Sequence, residues 1–299
     1  MEIKLMLDRR TLLRAGSAAA GGAAVLAAST AAPALARAPQ VVKAQPSFYR
    51  FKLGTIEITV VSDGTLAFPA ETLWGDRAND ARGLLTSTFH TPRPVGLQIN
   101  TVLVNTGDKL VLIDAGCGVD KFQNTTGGLI GNLAAAGYAP RDIDMILFTH
   151  FHFDHLWGIS DQENASLLFP SAEFVASEAE FAFWSDPELA GKLPPAQQPR
   201  VTQTNLKLAS PRLHLINAGA EVVPGVTTFG TPGHTPGHIS VSISSGSEEL
   251  LLTGDVVVNS EVSFLHPEWP FGFDIDVPMG TKTRVAFLDR AAADKTLVG

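Results

Sequence analysis

Short apolar runs recur along the chain, separated by turns rich in glycine, asparagine, serine and aspartate. Runs of this kind, bounded by turn residues and rich in β-branched side chains, are typical of buried or half-buried strands. We predict strands at Ile56–Val61, Gln98–Val104, Leu110–Ile113, Ile143–Phe148, Glu173–Ala176, Leu213–Ile216, Val226–Phe229, Ile239–Ile243 and Leu250–Leu252.

Three longer segments have helical character. They are Gly127–Ala136, Ser177–Trp184 and Lys282–Ala293. Ser177 is a suitable N-cap because Glu180 follows it three residues later. The residues Ser62–Gly64 are expected to form a turn that ends a strand. Phe181–Gln198 and Glu261–Pro278 are expected to be largely irregular loops, and such loops often shape a substrate entrance.

The N-terminus has the features of an export signal. Asp8–Leu13 resembles a twin-arginine motif, Ala15–Ala32 is an apolar run of small residues, and Ala34–Ala36 fits a cleavage site. A transmembrane helix is the alternative, but the run is only weakly hydrophobic. We therefore predict a signal peptide at residues 1–36 and a periplasmic or secreted protein without a stable membrane anchor after cleavage.

Composition indicates a single domain after this signal. The chain has 299 residues and 45% hydrophobic content, with no linker-like change of composition in its mature part. We predict a linker at residues 37–47 and one domain at residues 48–299. The net charge is −8, and no basic stripe interleaved with aromatics is present, so nucleic acid is not an expected partner. The acidic balance does not favour an anionic substrate either.

The segment from His150 to His155 has the pattern H-x-H-x-D-H and directly follows a predicted strand. Three imidazoles and a carboxylate at this density are typical of a metal site, because buried ionisable groups need a compensating partner. In extended backbone, residues two apart face the same side, so His150 and His152 can share one ion. Asp154 and His155 can then turn to a second ion. Histidines that are merely buried or exposed explain this density poorly.

Two further segments carry similar chemistry. Gly230–His238 is a loop stiffened by glycine and proline, and it contains His234 as well as His238. Leu250–Asp255 is an apolar strand that ends in a carboxylate. An aspartate in such a place is either a loop residue or a ligand, and the two histidine-bearing segments favour a ligand.

Together these motifs resemble the signature of the metallo-β-lactamase superfamily. The resemblance rests on residues 150–155, on G-H-T-P-G-H around His234 and on T-G-D at Asp255, and Leu110–Gly116 resembles the superfamily's strand ending in Asp-x-Gly. It extends from about Phe48 to the C-terminus. It implies an α/β fold with a four-layer αββα sandwich, which two groups of strands with helices outside them would fit.

Within the superfamily, the chain is most similar to methyl parathion hydrolase and its exported relatives. The similar segments are Thr55–Leu66, Leu103–Gly107, Asn132–Tyr138 and Glu173–Trp184. This resemblance implies that Phe122 and Trp184 line a substrate pocket. The chain has Trp157 where the superfamily usually has a glycine, so this indole is a further candidate for the pocket.

The resemblance also implies a centre with two divalent metal ions. The implied ligands are His150, His152 and His234 for one ion, Asp154 and His155 for the other, and Asp255 as the bridge. Histidine and carboxylate ligands suit zinc, which we expect, and also manganese, cobalt or iron. Asp154 and Asp255 are the candidate catalytic carboxylates, because such a pair of ions binds a bridging hydroxide that attacks the substrate.

Asp114 and His238 are candidates for supporting roles. Asp114 either orients a ligand imidazole through the nitrogen that does not face the metal, or caps the turn at Gly116. His238 either supports the site or is a ligand itself, and we favour support.

In this superfamily a final histidine normally follows the last strand. No histidine follows Lys295–Gly299 in this sequence, and His266 stands too early in the pattern. Either the sequence is a truncated form of a longer chain, which we favour, or the second ion has fewer protein ligands.

The function implied by the resemblance is hydrolysis of neutral phosphotriesters, lactones or aryl esters. The expected partner is a small neutral substrate, and a homodimer is compatible with the sequence. Three alternatives stay open: an N-acyl homoserine lactone lactonase, a mononuclear iron dioxygenase and a non-catalytic metal-binding relative. A β-lactamase is not favoured, because nothing in the sequence indicates binding of an anionic β-lactam.

Overall fold

The computed structural model of the chain describes residues 47–118, 122–161, 163–164, 166–193 and 199–299. The predicted signal peptide, with the twin-arginine motif, and all of the predicted linker except Ser47 lie outside these residues. Within the described ranges, no helix combines the length and the apolar character needed to cross a membrane.

Two mixed β-sheets form the centre of the molecule. The strands of the first sheet, in spatial order, are β1 (Phe48–Leu53), β2 (Ile56–Phe68), β3 (Val95–Asn105), β4 (Leu110–Ile113), β5 (Met145–Leu147), β8 (Glu173–Ser177) and β9 (Leu213–Ile216). The strands of the second are β10 (Glu221–Val223), β11 (Val226–Gly230), β12 (Ile239–Ser245), β13 (Glu248–Leu252) and β14 (Leu297–Val298). A separate short pair consists of β6 (Ser160–Asp161) and β7 (Ser166–Leu167).

The strand directions divide each sheet into two parts. Neighbouring strands are antiparallel from β1 to β4 and from β10 to β13. They are parallel along β4, β5, β8 and β9, and between β13 and β14. Parallel strands end at the same edge of a sheet, so the loops after β4 and β5 lie side by side.

Helices flank the sheets. The α-helices are α1 (Ala70–Trp74), α2 (Ala78–Ser87), α3 (Leu129–Ala136), α4 (Phe153–Leu156), α5 (Glu178–Trp184), α6 (Leu189–Lys192), α7 (Pro199–Ala209), α8 (Ser260–Leu265) and α9 (Val277–Asp294). Short 3₁₀ segments are Gly75–Arg77, Phe122–Asn124, Pro140–Asp142, Trp157–Ile159, Ser210–Arg212 and Gly254–Val256.

The buried side chains show the layer order. Val111 and Leu147 of the first sheet pack against Val241 and Leu252 of the second in one apolar cluster between the sheets. On the other face of the first sheet, Leu112, Ile146 and Phe174 pack with Leu133 of α3, Trp184 of α5 and Leu206 of α7. On the outer face of the second sheet, Leu251 packs with Phe287 and Ala291 of α9. The predicted αββα sandwich is therefore confirmed.

One predicted turn is wrong. Residues Ser62–Gly64 do not end a strand, because β2 continues to Phe68 and its register against β3 shifts between Ser62 and Gly64. Gly64 has φ 145°, and a Cβ there would lie 2.0 Å from the carbonyl oxygen of Thr125. Glycine therefore allows a bulge where the sequence indicated a turn.

The start of the last helix also differs from its prediction. Helix α9 begins at Val277, because the carboxylate of Asp276 caps it by accepting a hydrogen bond from Met279 N. The two segments expected to be irregular loops contain the short helices α6 and α8. Pro278 lies in the first turn of α9, where a missing N–H costs no helical hydrogen bond.

Candidate metal centre

The H-x-H-x-D-H segment leaves β5 and turns directly into α4. His150 is fully buried, and the residues His152 and His155 are 5% and 9% exposed. His152 precedes the helix in extended conformation, with φ −63° and ψ 160°. Asp154 and His155 therefore project from the first turn of a helix and not from a strand, which separates them from the two preceding histidines.

His234 completes a group of three imidazoles from two loops. His150 Nε2 lies 3.0 Å from His152 Nδ1, and His152 Nδ1 lies 2.8 Å from His234 Nε2. Burial, together with the neighbouring histidines, keeps the pKa values of His150 and His152 well below the ordinary value. Both rings are therefore neutral, which is the form in which imidazole binds a metal.

Asp255 reaches this group and His155 at once. Its Oδ2 lies 3.2 Å from His234 Nε2 and 3.9 Å from His150 Nε2. Its Oδ1 lies 3.2 Å from His155 Nε2, and Asp154 Oδ2 lies 3.7 Å from the same nitrogen. Burial opposes the charged form of Asp255, but the neighbouring His155 and His234 hold its pKa well below the ordinary value.

These contacts fit a pair of cations. The ligand atoms of His150, His152 and His234 all lie within 4.8 Å of one another, and those of His150, His155 and Asp255 form a second such group. The imidazole nitrogens and the carboxylate oxygens of Asp255 converge on positions that a cation can occupy. Nitrogen and carboxylate donors in two adjoining sets suit two divalent ions such as zinc.

Most of the rings are also held on the side away from this centre. His155 Nδ1 lies 2.8 Å from Asp114 Oδ2, and the same carboxylate accepts hydrogen bonds from Thr149 N and Oγ1 at 2.8 Å. Thr149 Oγ1 lies 3.0 Å from His150 Nδ1. Asp114 has φ 61°, so this backbone turn is left-handed. Asp114 thus contacts His155 directly and His150 through Thr149.

His238 lies beside the centre with both ring nitrogens engaged. Its Nε2 accepts a hydrogen bond from the backbone N–H of Asp255 at 3.0 Å. Its Nδ1 then carries the proton and lies 2.8 Å from Thr231 Oγ1. Burial, with the neighbouring His234, lowers the pKa of His238 to about 3. His238 therefore holds the Asp255 backbone and offers no free nitrogen as a ligand.

Three residues contact the histidine loops directly or through another side chain, although no sequence pattern indicated such a role for them. Asp274 Oδ1 lies 3.1 Å from His234 Nδ1, and Arg284 Nη2 lies 2.8 Å from Asp274 Oδ2. Glu180 contacts both ligand loops from α5. None of the three belongs to a recognisable local motif. Glu180 stood out only as a capping residue, and Asp274 lies in a segment expected to be an irregular loop.

Two predicted pocket residues lie elsewhere. Trp184 is fully buried, and its indole N–H donates to Glu180 Oε1 at 2.7 Å. Trp157 is 7% exposed and its N–H donates to Thr202 Oγ1 at 3.3 Å. Both rings belong to the core beneath the first sheet, so neither lines a substrate pocket. The backbone of Phe122 begins a 3₁₀ segment, and its side chain lies outside the described part of the structure.

The histidines outside the centre have other partners. His266 stacks on Trp269 with ring centroids 4.0 Å apart, and its Nδ1 lies 3.2 Å from Glu268 Oε1. His90 pairs with Glu261 at the surface. His214 Nε2 lies 2.8 Å from Glu173 Oε2. Within the described part of the chain, His155, Asp154 and Asp255 are thus the candidate ligands for a second ion.

An apolar cavity of about 730 Å³ opens onto the centre. His152, Asp154, His155, His234 and Asp255 contribute to its wall. Its apolar lining next to these residues includes Leu66, Phe68, Leu97, Ile99, Phe153, Val257, Val258, Phe271 and Phe273. No lysine or arginine is among the described residues that line it. Such a cavity suits a neutral molecule with an apolar substituent.

Comparison with known proteins shows the family to which the chain is similar. The model of the metallo-β-lactamase superfamily matches residues 94–297. An N-acyl homoserine lactonase of a Bacillus species is 31% identical over 159 residues, which are 52% of this chain and 55% of the relative. A probable metallo-hydrolase of Mycobacterium tuberculosis is 30% identical over 192 residues, 54% of this chain and 57% of the relative. The chain thus spans about half the length of these curated relatives.

Solved structures match a larger share of the chain than these curated relatives do. AidC, described as a dizinc quorum-quenching lactonase in complex with a product, N-hexanoyl-L-homoserine, is 29% identical with a TM-score of 0.76, covering 84% of this chain and 88% of AidC. The hydrolase AbOPH is 31% identical with a TM-score of 0.78, covering 86% of this chain and 90% of AbOPH. None of these relatives carries the name methyl parathion hydrolase, so that finer resemblance stays a prediction.

Proposed function

Because this chain belongs to the metallo-β-lactamase superfamily, we propose that it is a two-metal lactonase that opens N-acyl homoserine lactones. The observation that carries the proposal is the position of Asp255, which contacts both histidine groups at the wall of a largely apolar cavity whose described lining contains no lysine or arginine. The lactonases among its relatives support this choice over the other neutral esters.

The cavity supports an acylated neutral substrate. Phe68 and Phe273 form an edge-to-face pair at 5.0 Å, and Phe271 stacks on His234 with centroids 6.0 Å apart. Burial of an acyl chain on such a surface is favourable by about 0.8 kcal/mol for each methylene group. A lactone ring is neutral, so its binding beside Asp154 and Asp255 requires no cationic side chain.

The residues of the centre divide the chemistry between them. The implied ions would be held by the three-histidine group and by Asp154 and His155, with Asp255 between them. When bound, such ions supply an activated water and polarise the carbonyl of an ester. Asp255 sets the spacing of the two groups. Asp154 lies at the cavity wall, so its carboxylate is placed to take a proton from water and return it to the leaving ring oxygen.

A second candidate function is hydrolysis of neutral aryl esters or phosphotriesters. The aromatic part of the cavity, Phe68, Phe153, Phe271 and Phe273, favours it, because aryl groups pack well against such rings. An iron dioxygenase or a non-catalytic metal protein has no specific support from the geometry. Analysis of the bound metal and of turnover distinguishes both from a hydrolase.

The test compares substrates on one metal-replete preparation. We would measure kcat/KM for N-hexanoyl and N-decanoyl homoserine lactone, for an aryl acetate and for an aryl phosphotriester, with chelated protein as the control. We expect the lactones to exceed the other substrates by at least about a hundredfold, a difference of roughly 3 kcal/mol in transition-state stabilisation. A higher kcat/KM for the phosphotriester would replace the proposal by the second candidate.

The export signal is a separate proposal. We propose that residues 1–36 direct the chain to the periplasm through a twin-arginine pathway. Cell fractionation with the wild-type chain and with Arg9→Lys/Arg10→Lys tests this. Retention of the double variant in the cytoplasm supports it, and equal export of both forms contradicts it.

A further inference from the structure

Glu180 is a buried carboxylate that is not among the proposed metal ligands. It lies in the first turn of α5 and is 1% exposed. The side chain of Glu180 is not needed to cap the helix, because Ser177 Oγ accepts the hydrogen bond from the backbone N–H of Glu180. A buried carboxylate is costly unless hydrogen bonds compensate it, so its partners indicate what it does.

All four partners of the carboxylate are hydrogen-bond donors. Oε1 accepts from Phe151 N at 2.9 Å and from Trp184 Nε1 at 2.7 Å. Oε2 accepts from Thr235 Oγ1 at 2.6 Å and from Gly237 N at 3.1 Å. Burial raises the pKa of Glu180, while these four donors act against that rise. An acceptor-only group with four donors is satisfied as the carboxylate.

Three of the four donors belong to the two loops that supply the three-histidine group, and the fourth, Trp184, belongs to α5 itself. Phe151 stands between His150 and His152, and Thr235 directly follows His234. One oxygen of Glu180 thus holds the first loop, and the other holds the second. The second loop also approaches α5 closely, since a Cβ on Gly237 would lie 2.0 Å from Glu180 N.

His152 depends on this arrangement more than its two partner ligands do. His150 and His234 have a hydrogen-bond partner on the ring nitrogen away from the centre. Among the described residues, His152 Nε2 is the one buried side-chain nitrogen or oxygen without a hydrogen-bond partner. Its ring instead packs edge-on against Trp184, at 5.5 Å and 83°, and Glu180 holds that indole.

We propose that Glu180 is a positioning residue that sets the convergence of the His150, His152 and His234 nitrogens and thereby the affinity of the first metal ion. The carboxylate acts on both loops and on the ring that orients His152. This role rests on the proposed metal centre, but it is independent of the proposed lactone substrate.

The experiment measures metal binding and not turnover. Glu180→Gln keeps the shape of the side chain but places an amide N–H₂ where one oxygen accepts, so it faces donors such as Gly237 N. Glu178→Gln, on the exposed face of the same helix, is the matched control. Zinc affinity of the metal-free proteins is measured by chelator competition, and the coordination geometry by the absorption spectrum of the Co²⁺ forms.

We expect Glu180→Gln to weaken zinc binding by about 10- to 100-fold, as found for residues that support metal ligands, and to change the cobalt spectrum. Glu178→Gln should match the wild type in both. A merely structural role would lower the thermal stability of the metal-free protein and leave affinity and spectrum unchanged, which would overturn the proposal.

A milder variant keeps the test decisive if Glu180→Gln does not fold. Thr235→Val removes one of the four donors and retains the volume of the side chain. Zinc binding several-fold weaker than in the wild type supports the proposal. Wild-type affinity together with a wild-type cobalt spectrum contradicts it, whether or not the protein hydrolyses lactones.

Discussion

Asp274 places its carboxylate oxygen Oδ1 3.1 Å from Nδ1 of His234, on the side of the ring away from the metal centre. The other oxygen accepts a hydrogen bond from Arg284 at 2.8 Å, and both residues of this ion pair are buried. The pair keeps the proton of His234 on Nδ1 and leaves the lone pair of Nε2 directed at the centre. A carboxylate behind a ligand histidine is a common way to orient it.

Asp274→Asn is expected to weaken zinc binding by about 10- to 100-fold and to lower kcat, because an amide offers one acceptor to the two donors His234 and Arg284. Chelator competition and steady-state kinetics measure both effects. Asp289→Asn, at an exposed position of α9, is the control. Unchanged affinity in Asp274→Asn would show that His234 needs no such partner.

Asp255→Ala is expected to abolish hydrolysis, with kcat/KM lower by at least about a thousandfold, because no other carboxylate contacts both histidine groups within the described residues. The fold should persist, since the side chain is 23% exposed and packs little of the core. Circular dichroism and kinetics at saturating metal check this. Near-normal turnover of a metal-loaded variant would remove Asp255 from its bridging role. His152→Ala should behave similarly.

The residues that meet at the candidate metal centre could be predicted because their chemistry is local. His150 to His155 form one short segment at a strand end, and His234 and Asp255 stand in motifs of their own. The strands could also be predicted from the sequence, since every strand expected from the apolar runs is present. The strands are rich in apolar and β-branched residues because they are buried between the two sheets, and such runs indicate buried strands.

The supporting residues could not be predicted, because their partners are distant in the chain. Glu180 contacts Thr235 from 55 positions away. Helix α7 was missed for a related reason, since its buried face includes the polar residues Thr202 and Asn205. Strand β1 lies at a sheet edge with little burial and depends on pairing with β2. In each case a tertiary contact decides the structure, and no local pattern records it.

Trp184→Ala is expected to destabilise the fold by about 3–5 kcal/mol, because it removes a fully buried indole from the core. The ratio of kcat/KM between a lactone and an aryl ester should not change, because the ring does not line the cavity. Urea unfolding and the two-substrate ratio measure these effects. Trp184→Phe retains most of the volume and should be milder. A changed ratio with unchanged stability would restore the original assignment to the substrate pocket.

Acyl length is expected to govern the efficiency of lactone hydrolysis. Each methylene buried in the cavity contributes up to about 0.8 kcal/mol, or roughly fourfold in kcat/KM, until the space beside Phe68 and Phe273 is filled. A series of N-acyl homoserine lactones from four to twelve carbons (about two carbons per step) measures this. Phe273→Ala enlarges the cavity and should move the optimum to longer chains. Equal kcat/KM along the series would argue against an acyl site here.

Asp144→Asn tests a pH-dependent contribution to stability away from the metal centre. Asp144 precedes β5, whereas His150 follows that strand. Asp144 Oδ2 accepts a hydrogen bond from Leu110 N at 2.9 Å, and Asp144 Oδ1 lies 3.2 Å from Lys109 Nζ. The backbone hydrogen bond and Lys109 lower its pKa below the usual 3.8. A lowered folded pKa stabilises the protein above the unfolded value, and the contribution disappears as the pH falls through the folded value.

The variant should therefore unfold about 1 kcal/mol more easily at pH 7, a small figure because the side chain of Asp144 is 39% exposed. The difference from the wild type should shrink as the pH falls below about 4, the ordinary pKa of an unfolded aspartate, and should disappear below the lowered pKa of folded Asp144. Urea unfolding of the metal-free proteins at pH 7 and below about pH 4 measures this difference in stability. Since β5 separates this residue from the ligand loop, zinc affinity at pH 7 should be unchanged. A difference of equal size at low pH would show that the effect is steric and not one of charge.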